Sequence, residues 1–240
     1  MKNQKALKIG VVGASGRMGH ELAKILIHNE QTVPYLGIDS KSINFGYEHA
    51  QKAFTNKKIE NVDVWIDFSS PASLESLLTT AIRLEQPVVC GTTGLQKKQM
   101  DLIKKASKKI PVLWSSNMSI GVAILARALE ALKNQEAYDY QIEEFHHSAK
   151  KDNPSGTALT LHKKLEAEVG RSLPKPIGIR GGGIYGIHKV WAMGAEEVLC
   201  FEHQALNRAV FARGAVRAAM WLKNQKPGLY SIADVLDMTE

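Results

Sequence analysis

Cysteine is scarce in this chain. Two occur in 240 residues, Cys90 and Cys200, and neither stands at metal-ligand spacing from another. A disulfide framework and a cysteine-built metal site are both excluded, and no metal is expected. Each lies in an apolar, strand-like run, "PVVCG" and "EVLCF", so both are expected as buried thiols acting as small hydrophobes. Free thiols suit a reducing cytoplasm.

Long hydrophobic runs are also missing. None approaches the ~20 residues that cross a bilayer, so no membrane partner is expected. The opening "MKNQKALKIGVVGASG" is basic but turns at once into a glycine motif, unlike a signal peptide. The expected location is cytoplasmic. Acidic residues are outnumbered, 24 against 31 basic ones, for a net charge of +7. Lysines gather at 56–58, 96–98 and 104–109, with no aromatic residues between them to stack on bases. Nucleic acid is therefore not the expected partner; the last group reads as the solvated face of an amphipathic helix. With 44% hydrophobic and 23% charged residues, disorder is excluded, and the length allows one large domain or two small ones.

What is present is a change of rhythm. Apolar strand-like runs at 6–14, 32–39, 62–68, 87–93 and 111–117 alternate with helix-period segments at 17–29, 73–84 and 96–109. Near-continuous apolar strands joined by helices imply a parallel sheet covered on both faces. Pro34 is expected to mark the start of the second strand, since proline donates no ladder bond. After Asn117 come a helix at 119–133, a strand at 138–147, a helix at 155–170 and two strands, 183–193 and 196–205, expected to pair antiparallel. A last helix at 208–223 is apolar enough to pack back on the first domain. The expected fold is α/β: a Rossmann-type parallel-sheet nucleotide domain (1–118 and 208–240) plus a smaller α+β substrate and oligomerisation domain (119–207).

"GASGRMG" places Gly13, Gly16 and Gly19 three apart, after a strand and opening a helix. Glycine permits the tight turn and close backbone approach, and the helix N-terminus then faces a pyrophosphate. Asp39 lies twenty residues past Gly19, where a carboxylate grips ribose hydroxyls. The first domain is read as dinucleotide-binding. Two more loops, "GTTG" (91–94) and "SSNMS" (115–119), leave the carboxyl ends of predicted strands, where ligands of open α/β sheets bind. Small hydroxyl and amide residues there can reach a nicotinamide; ordinary helix capping is the alternative reading.

"EEFHHSAKKDNPSGTAL" (143–159) crowds His146, His147, Lys150 and Lys151 ahead of a helix start. Neighbours in a strand point to opposite faces, so the two histidines share a site only if the strand ends there. Ser155 or Thr157 can cap the helix, and the N–H groups around Gly156 and Thr157 make a cradle for a carboxylate. Imidazole for proton handling, ammonium for charge and a helix terminus for an anion point to an anionic substrate.

These motifs, with "FARGAVRAAMWL" near the C-terminus, closely resemble the 4-hydroxy-tetrahydrodipicolinate reductase (dihydrodipicolinate reductase) family, from Lys8 to about Met238. The E-x-H-H-x-x-K-x-D-x-P-S-G-T-A signature is satisfied from Glu144 through Ala158. The resemblance implies reduction of a cyclic imine dicarboxylate by NADH or NADPH, giving tetrahydrodipicolinate. It implies His146 as acid/base, Lys150 as second proton donor, and His147, Gly156 and Thr157 as substrate-binding residues. It implies cofactor contacts at Gly13, Ala14, Ser15, Gly16, Arg17 and Met18, at Asp39, at Gly91, Thr92 and Thr93, and at Ser115, Ser116, Asn117 and Met118. It further implies a homotetramer built through the second domain's sheet. Three features depart from the family pattern. The 40–61 segment is short, Ser40 stands where many members have a basic residue with Lys41 one further on, and Met118 replaces a common aromatic. Closure about Asn117 and Asn207 is expected to bring cofactor and substrate together. A related reductase of another dicarboxylate and a cofactor-binding sensor are the rival readings; a sensor has no use for a proton donor.

Overall fold

A computed structural model describes residues 5–52, 54 and 57–237. Asn56 and the lysine side chains of the 56–58 cluster lie outside the described residues, as does Met238. The chain divides into two compact units. One holds the described residues up to Ser119 and those from Phe211 onward; the other is Ile120–Val210.

In the first unit the chain order is β1 (Leu7–Val12), α1 (Arg17–Ile27), β2 (Thr32–Ile38), β3 (His49–Gln51), β4 (Val64–Asp67), α2 (Leu74–Arg83), β5 (Val88–Cys90), α3 (Lys97–Ser107) and β6 (Pro111–Trp114). Seven strands, including a late three-residue β11 (Gly228–Tyr230), form one sheet in the order β11-β6-β5-β4-β1-β2-β3. Every neighbouring pair in it is parallel. Its central strands are apolar on both faces because helices cover both: Ile9, Val11, Val64, Trp65, Ile66, Val88 and Val89 are fully buried. On α3, Ile103 and Ala106 turn inward while Lys104 and Lys105, and Lys108 and Lys109 just past its end, are exposed, a solvated face as the periodicity predicts.

Two details differ from the sequence reading. Pro34 sits inside β2, where the register slips so that Ile9 faces Pro34 and Gly10 faces Leu36. The extra residue, Tyr35, makes a bulge, and a bulge accommodates a residue without an N–H donor. The short strands β3 and β11 carry too few residues for a readable period.

The second unit contains α4 (Ile120–Ala128), β7 (Asp139–His146), α5 (Gly156–Val169), β8 (Ile177–Arg180), β9 (Ile187–Met193) and β10 (Val198–Gln204). The predicted helix 119–133 is α-helical only to Ala128 and tightens into a 3₁₀ turn over Leu129–Leu132. The sheet order is β10-β9-β7-β8, with β9 antiparallel to both β7 and β10 and β8 parallel to β7. Strand β8 is not foreseen from sequence because "IGIR" alternates with a glycine and is half-exposed throughout. Period-two alternation sets the core: Tyr140 and Ile142 on β7 and Val190 and Ala192 on β9 pack against Leu161 and Leu165 of α5. The opposite face of this sheet is open, and Cys200 is exposed there rather than buried, because β10 is an edge strand whose outer residues have no covering helix. Cys90 is buried as expected. The last helix, α6, is Ala209–Leu222, with Ala212, Ala215, Ala218, Ala219 and Leu222 buried.

Candidate active site

After β1 the chain builds β2 and β3 on one side, then returns to place β4 on the other side of β1. This reversal opens a crevice between the carboxyl ends of β1 and β4. A cavity of about 670 Å³ lies there, lined by the glycine loop (Gly13, Ser15, Gly16), by Asp39 to Lys41, by Lys52 and Phe54, and by Phe68, Ser69, Ser70, Ala72 and Ser73 of the β4–α2 connection with Ser76 of α2.

The glycines are there for space. Gly13 has φ +84°, and a Cβ on it would meet the Phe68 carbonyl oxygen at 2.5 Å. A Cβ on Gly19 would strike the Gly13 oxygen and the Ala14 carbonyl carbon, each at 2.5 Å. Gly16 is the N-cap of α1 and no side chain caps that helix, so its first-turn N–H groups are left to an outside acceptor. Asp39 closes the loop from the other side: its carboxylate accepts from Ser15 N and Lys41 N, both at 3.0 Å. Burial opposes ionisation of Asp39, but those N–H donors and the Lys41 charge outweigh it and hold its pKa below the ordinary value. An uncapped helix terminus, a loop with no room for side chains and an ionised carboxylate at the next strand's end together fit a dinucleotide.

The other expected cofactor residues are differently placed. Ala14 and Met118 are buried side chains, so only their backbones remain to meet a ligand. Arg17 and Met18 open α1. Thr92 is buried, donating to Asp67 at 2.8 Å and accepting from Ser69 N at 3.1 Å; it braces the β4 and β5 loops together. Asp67 also receives the Ser69 hydroxyl, yet burial raises its pKa despite these donors. A Cβ on Gly91 would overlap the Phe68 ring. Thr93 and Ser116 are exposed, and Ser115 Oγ donates to the Asn117 carbonyl at 2.6 Å. Gly91, Thr92, Thr93 and Ser115 to Met118 do not line the cavity. The cavity's serine-rich wall, Ser69, Ser70, Ser73 and Ser76, is absent from the sequence expectation. The rule that flags "GTTG", a loop leaving a parallel strand's carboxyl end, applies equally to "DFSSPASLES".

In the second unit, the alternation that buries Tyr140 and Ile142 carries on to Glu144 and His146. Thus β7 sends a glutamate and a histidine along its core-facing side, and it ends at His146. Glu144 is wholly buried. One oxygen, Oε2, pairs with His146 Nδ1; the other, Oε1, accepts from Arg180 Nη2 at 2.7 Å and Ser155 N at 2.9 Å. Gly178 stands opposite Glu144 on β8, and a Cβ there would meet Glu144 Oε1 at 2.7 Å. His147, past the strand end, donates its backbone N–H to Ile184 O at 2.7 Å. Ser155 is the helix cap, its hydroxyl accepting from Ala158 N at 3.2 Å.

The cationic crowd is not bare. Lys150 Nζ pairs with Asp152 Oδ1 at 2.8 Å, and Asp152 Oδ2 accepts from Gly156 N at 3.4 Å. Asp152 therefore already sits on the ammonium and at the helix terminus expected to receive a ligand carboxylate. Sequence alone gives the signature's aspartate no such place. Thr157 is buried beside Ser155 at the start of α5.

Burial first, then the Lys150 and Arg180 charges, push the His146 pKa below its ordinary value against the pull of Glu144. Behind His146 stands His188 of β9, ring centroids 5.3 Å apart, and behind that His203 of β10, at 6.1 Å. Neither ring nitrogen of His188 has a hydrogen-bond partner among the described residues. Burial, with His146 and His203 alongside, depresses its pKa to about 3. A histidine kept neutral by the fold adds stability that is complete above pH 6.5 and lost as pH falls toward 3, because only the unfolded chain takes up the proton. His188→Leu should therefore flatten the acid limb of the stability profile by up to about 1.4 kcal/mol per pH unit below pH 6.5. Urea unfolding at a series of pH values measures it, and an unchanged slope would mean that His188 titrates in the folded state. His188 and Arg180 escape a sequence reading because only the register of β7 with β8 and β9 brings them to Glu144.

Two family models match the chain, "Dihydrodipicolinate reductase, N-terminus" over residues 7–118 and "Dihydrodipicolinate reductase, C-terminus" over residues 120–236. The chain belongs to the dihydrodipicolinate reductase family. It is an oxidoreductase that uses NADH or NADPH. Among similar relatives, the 4-hydroxy-tetrahydrodipicolinate reductase of Bdellovibrio bacteriovorus is 52% identical over 232 residues, covering 97% of each chain. That of Rickettsia bellii is 38% identical, covering 95% of this chain and 94% of its own. A dipicolinate-bound dihydrodipicolinate reductase from Paenisporosarcina sp. TG-14 has the same fold, with a TM-score of 0.77 at 18% identity, covering 94% of this chain and 97% of the other. Aspartate dehydrogenase from Thermotoga maritima shares the architecture more loosely, with a TM-score of 0.56 at 12% identity over 92% and 98%.

Proposed function

We propose that the chain reduces 4-hydroxy-tetrahydrodipicolinate to tetrahydrodipicolinate, in the diaminopimelate route to lysine, with cofactor held by the first unit and dicarboxylate by the second. The observation that carries this reading is the buried Glu144–His146 pair beside Lys150 and the N-terminus of α5. The glycine loop, the first turn of α1 and Asp39 would hold NADH or NADPH, with the loops at 91–93 and 115–118 reaching toward its nicotinamide. When bound, that group supplies a hydride. Loss of the 4-hydroxyl and a neighbouring ring hydrogen as water gives the conjugated cyclic imine that accepts the hydride; His146 then delivers from Nε2 the one proton that balances it, and Lys150 is the second group placed to donate that proton. Lys150, His147 and the backbone at Gly156 and Thr157 bind the carboxylates, taking over the contacts that Asp152 makes in the free chain. A dianion brought beside His146 raises its pKa and so favours the charged, proton-donating form. Mixing the protein with synthase-generated substrate and following reduced-cofactor absorbance tests the assignment; no turnover with either cofactor would end it.

The open face of the second unit's sheet supports assembly into a homotetramer: Ile177, Ile179 and Val198 are 49%, 40% and 56% exposed there. Its free thiols and the absence of any helix long and apolar enough to cross a membrane among the described residues are in keeping with a cytoplasmic enzyme.

Cofactor choice turns on Asp39, Lys41 and Lys52, which share the cavity wall. The Asp39 carboxylate suits ribose hydroxyls and repels a 2′-phosphate, while the two lysines offset that repulsion without a guanidinium fork. NADH should therefore serve at least as well as NADPH. Removing both lysines should weaken NADPH several-fold more than NADH, the scale of exposed ion pairs. Dissociation constants for both cofactors, at fixed salt, in wild type and Lys41→Ala/Lys52→Ala check this; strong wild-type preference for NADPH would overturn it.

A further inference from the structure

Among the groups around His146, Glu144 has no assigned part in the reaction, and its surroundings leave little freedom in what it can do. We propose that Glu144 is the positioning residue of this site: it fixes His146 as the Nδ1–H tautomer and so leaves Nε2 to carry the proton exchanged with substrate. The proposal rests on the reductase reading above.

Matching donors to acceptors leaves one arrangement. An ionised carboxylate only accepts, and Glu144 is held ionised: burial opposes it, but Arg180, His146 and the Ser155 N–H together keep its pKa below the ordinary value. Two donors, Arg180 Nη2 and Ser155 N, occupy Oε1, so Oε2 is the oxygen that faces Nδ1. In the neutral ring Nδ1 must then carry the hydrogen. Nε2 is the remaining nitrogen, and space has been left for it: a Cβ on Gly186 would stand 3.0 Å from Nε2 and 3.4 Å from His188 Cε1. Gly186 has φ +149°, so a larger residue there would be strained as well as obstructive. The other charged or titratable groups around the ring are Lys150 from the loop after β7, Arg180 from β8 and His188 from β9, with His203 of β10 behind it. None of them presents an acceptor to Nδ1. Arg180 also donates to the Asp152 carbonyl, tying Glu144 to the loop that carries Lys150.

Replacing Glu144 by glutamine exposes the dependence. The amide has one acceptor and one donor end. Arg180 and Ser155 both donate, so in Glu144→Gln the new amide's carbonyl must turn to them and its NH₂ must turn to Nδ1. Nδ1 then has to accept, and the proton moves to Nε2. The ring is held in the wrong tautomer, and its protonated form loses its anionic neighbour.

The experiment reads the tautomer directly. Nitrogen-15 NMR of ring-labelled histidine, with His146 assigned by its loss in His146→Gln, should show Nδ1 protonated and Nε2 bare in the neutral wild-type ring. Glu144→Gln should reverse this, lower turnover by at least about 100-fold and shift the alkaline limb of kcat/KM, where the acid loses its proton, to lower pH. Glu144→Asp keeps an acceptor-only group and should retain the wild-type tautomer. A wild-type ring protonated at Nε2 overturns the proposal even if Glu144→Gln does not fold, as does an unchanged tautomer in a folded Glu144→Gln. The expected wild-type tautomer in a protein that fails to turn over the substrate would count against the reductase reading alone.

Discussion

His146→Gln should lower turnover by roughly 10²–10⁴-fold, the usual worth of general acid catalysis, with little change in cofactor affinity. Glutamine has a comparable reach and can satisfy Glu144 with its amide N–H, so the buried carboxylate is not abandoned; Arg180 and the Ser155 N–H continue to hold it. What glutamine cannot do is pick up a proton near neutral pH and release it. The cofactor loop belongs to the other compact unit, which is why its binding should be spared. Steady-state kinetics with both substrates varied, beside fluorescence titration of reduced cofactor, separate the two effects. Turnover near that of wild type would remove His146 from the chemistry. A matching loss of cofactor affinity would show instead that the substitution disturbs the fold.

Gly19→Ala should weaken the reduced cofactor by about 10²-fold or more and destabilise the first unit by roughly 1–3 kcal/mol, the scale of overpacking a tight site. The obstacle is backbone rather than a flexible side chain: the new methyl would lie 2.5 Å from both the Gly13 oxygen and the Ala14 carbonyl carbon. Those atoms cannot rotate away. Either α1 lifts from the strand end or the glycine loop is pushed toward the cavity, and displacements near 1 Å cost about 100-fold where reacting or binding groups must be aligned. Helix propensity favours alanine over glycine, so a stabilised variant with normal cofactor affinity would show that the loop relaxes freely. Urea unfolding and cofactor titration on the same preparation decide it.

Much of this is readable along the chain because it depends on neighbours in sequence. "GASGRMG" lies between a strand and a helix, so the turn, the close approach and the helix terminus are all local. Ser155 caps α5 and Gly170, at φ +70°, ends it, both within one helical turn of the residues they serve. Pro34 misleads because a bulge is a property of two paired strands, and Cys200 misleads because strand character does not say whether a face will be covered. Lys150 is recognisable as a cation, but its partner Asp152 becomes visible only where the loop folds back on itself.

Taken by itself, the amino-acid sequence determined the parallel nucleotide sheet, the glycine loop with its acidic partner and the presence of His146 at a strand end, since each arises from periodicity or spacing over a few turns. The tertiary structure alone decided which groups act on that histidine. Glu144 is two residues away in sequence, and its alternation with His146 was there to be read. Arg180, Gly178, Gly186 and His188, however, come from β8, β9 and the loop before β9, and only strand register sets them opposite β7. Long-range register carries no local signature, because it is fixed by the burial of whole faces rather than by any one residue. Yet the protonation of His146 depends on it, because a buried ring's tautomer is set by whichever acceptor the neighbouring strands leave beside it.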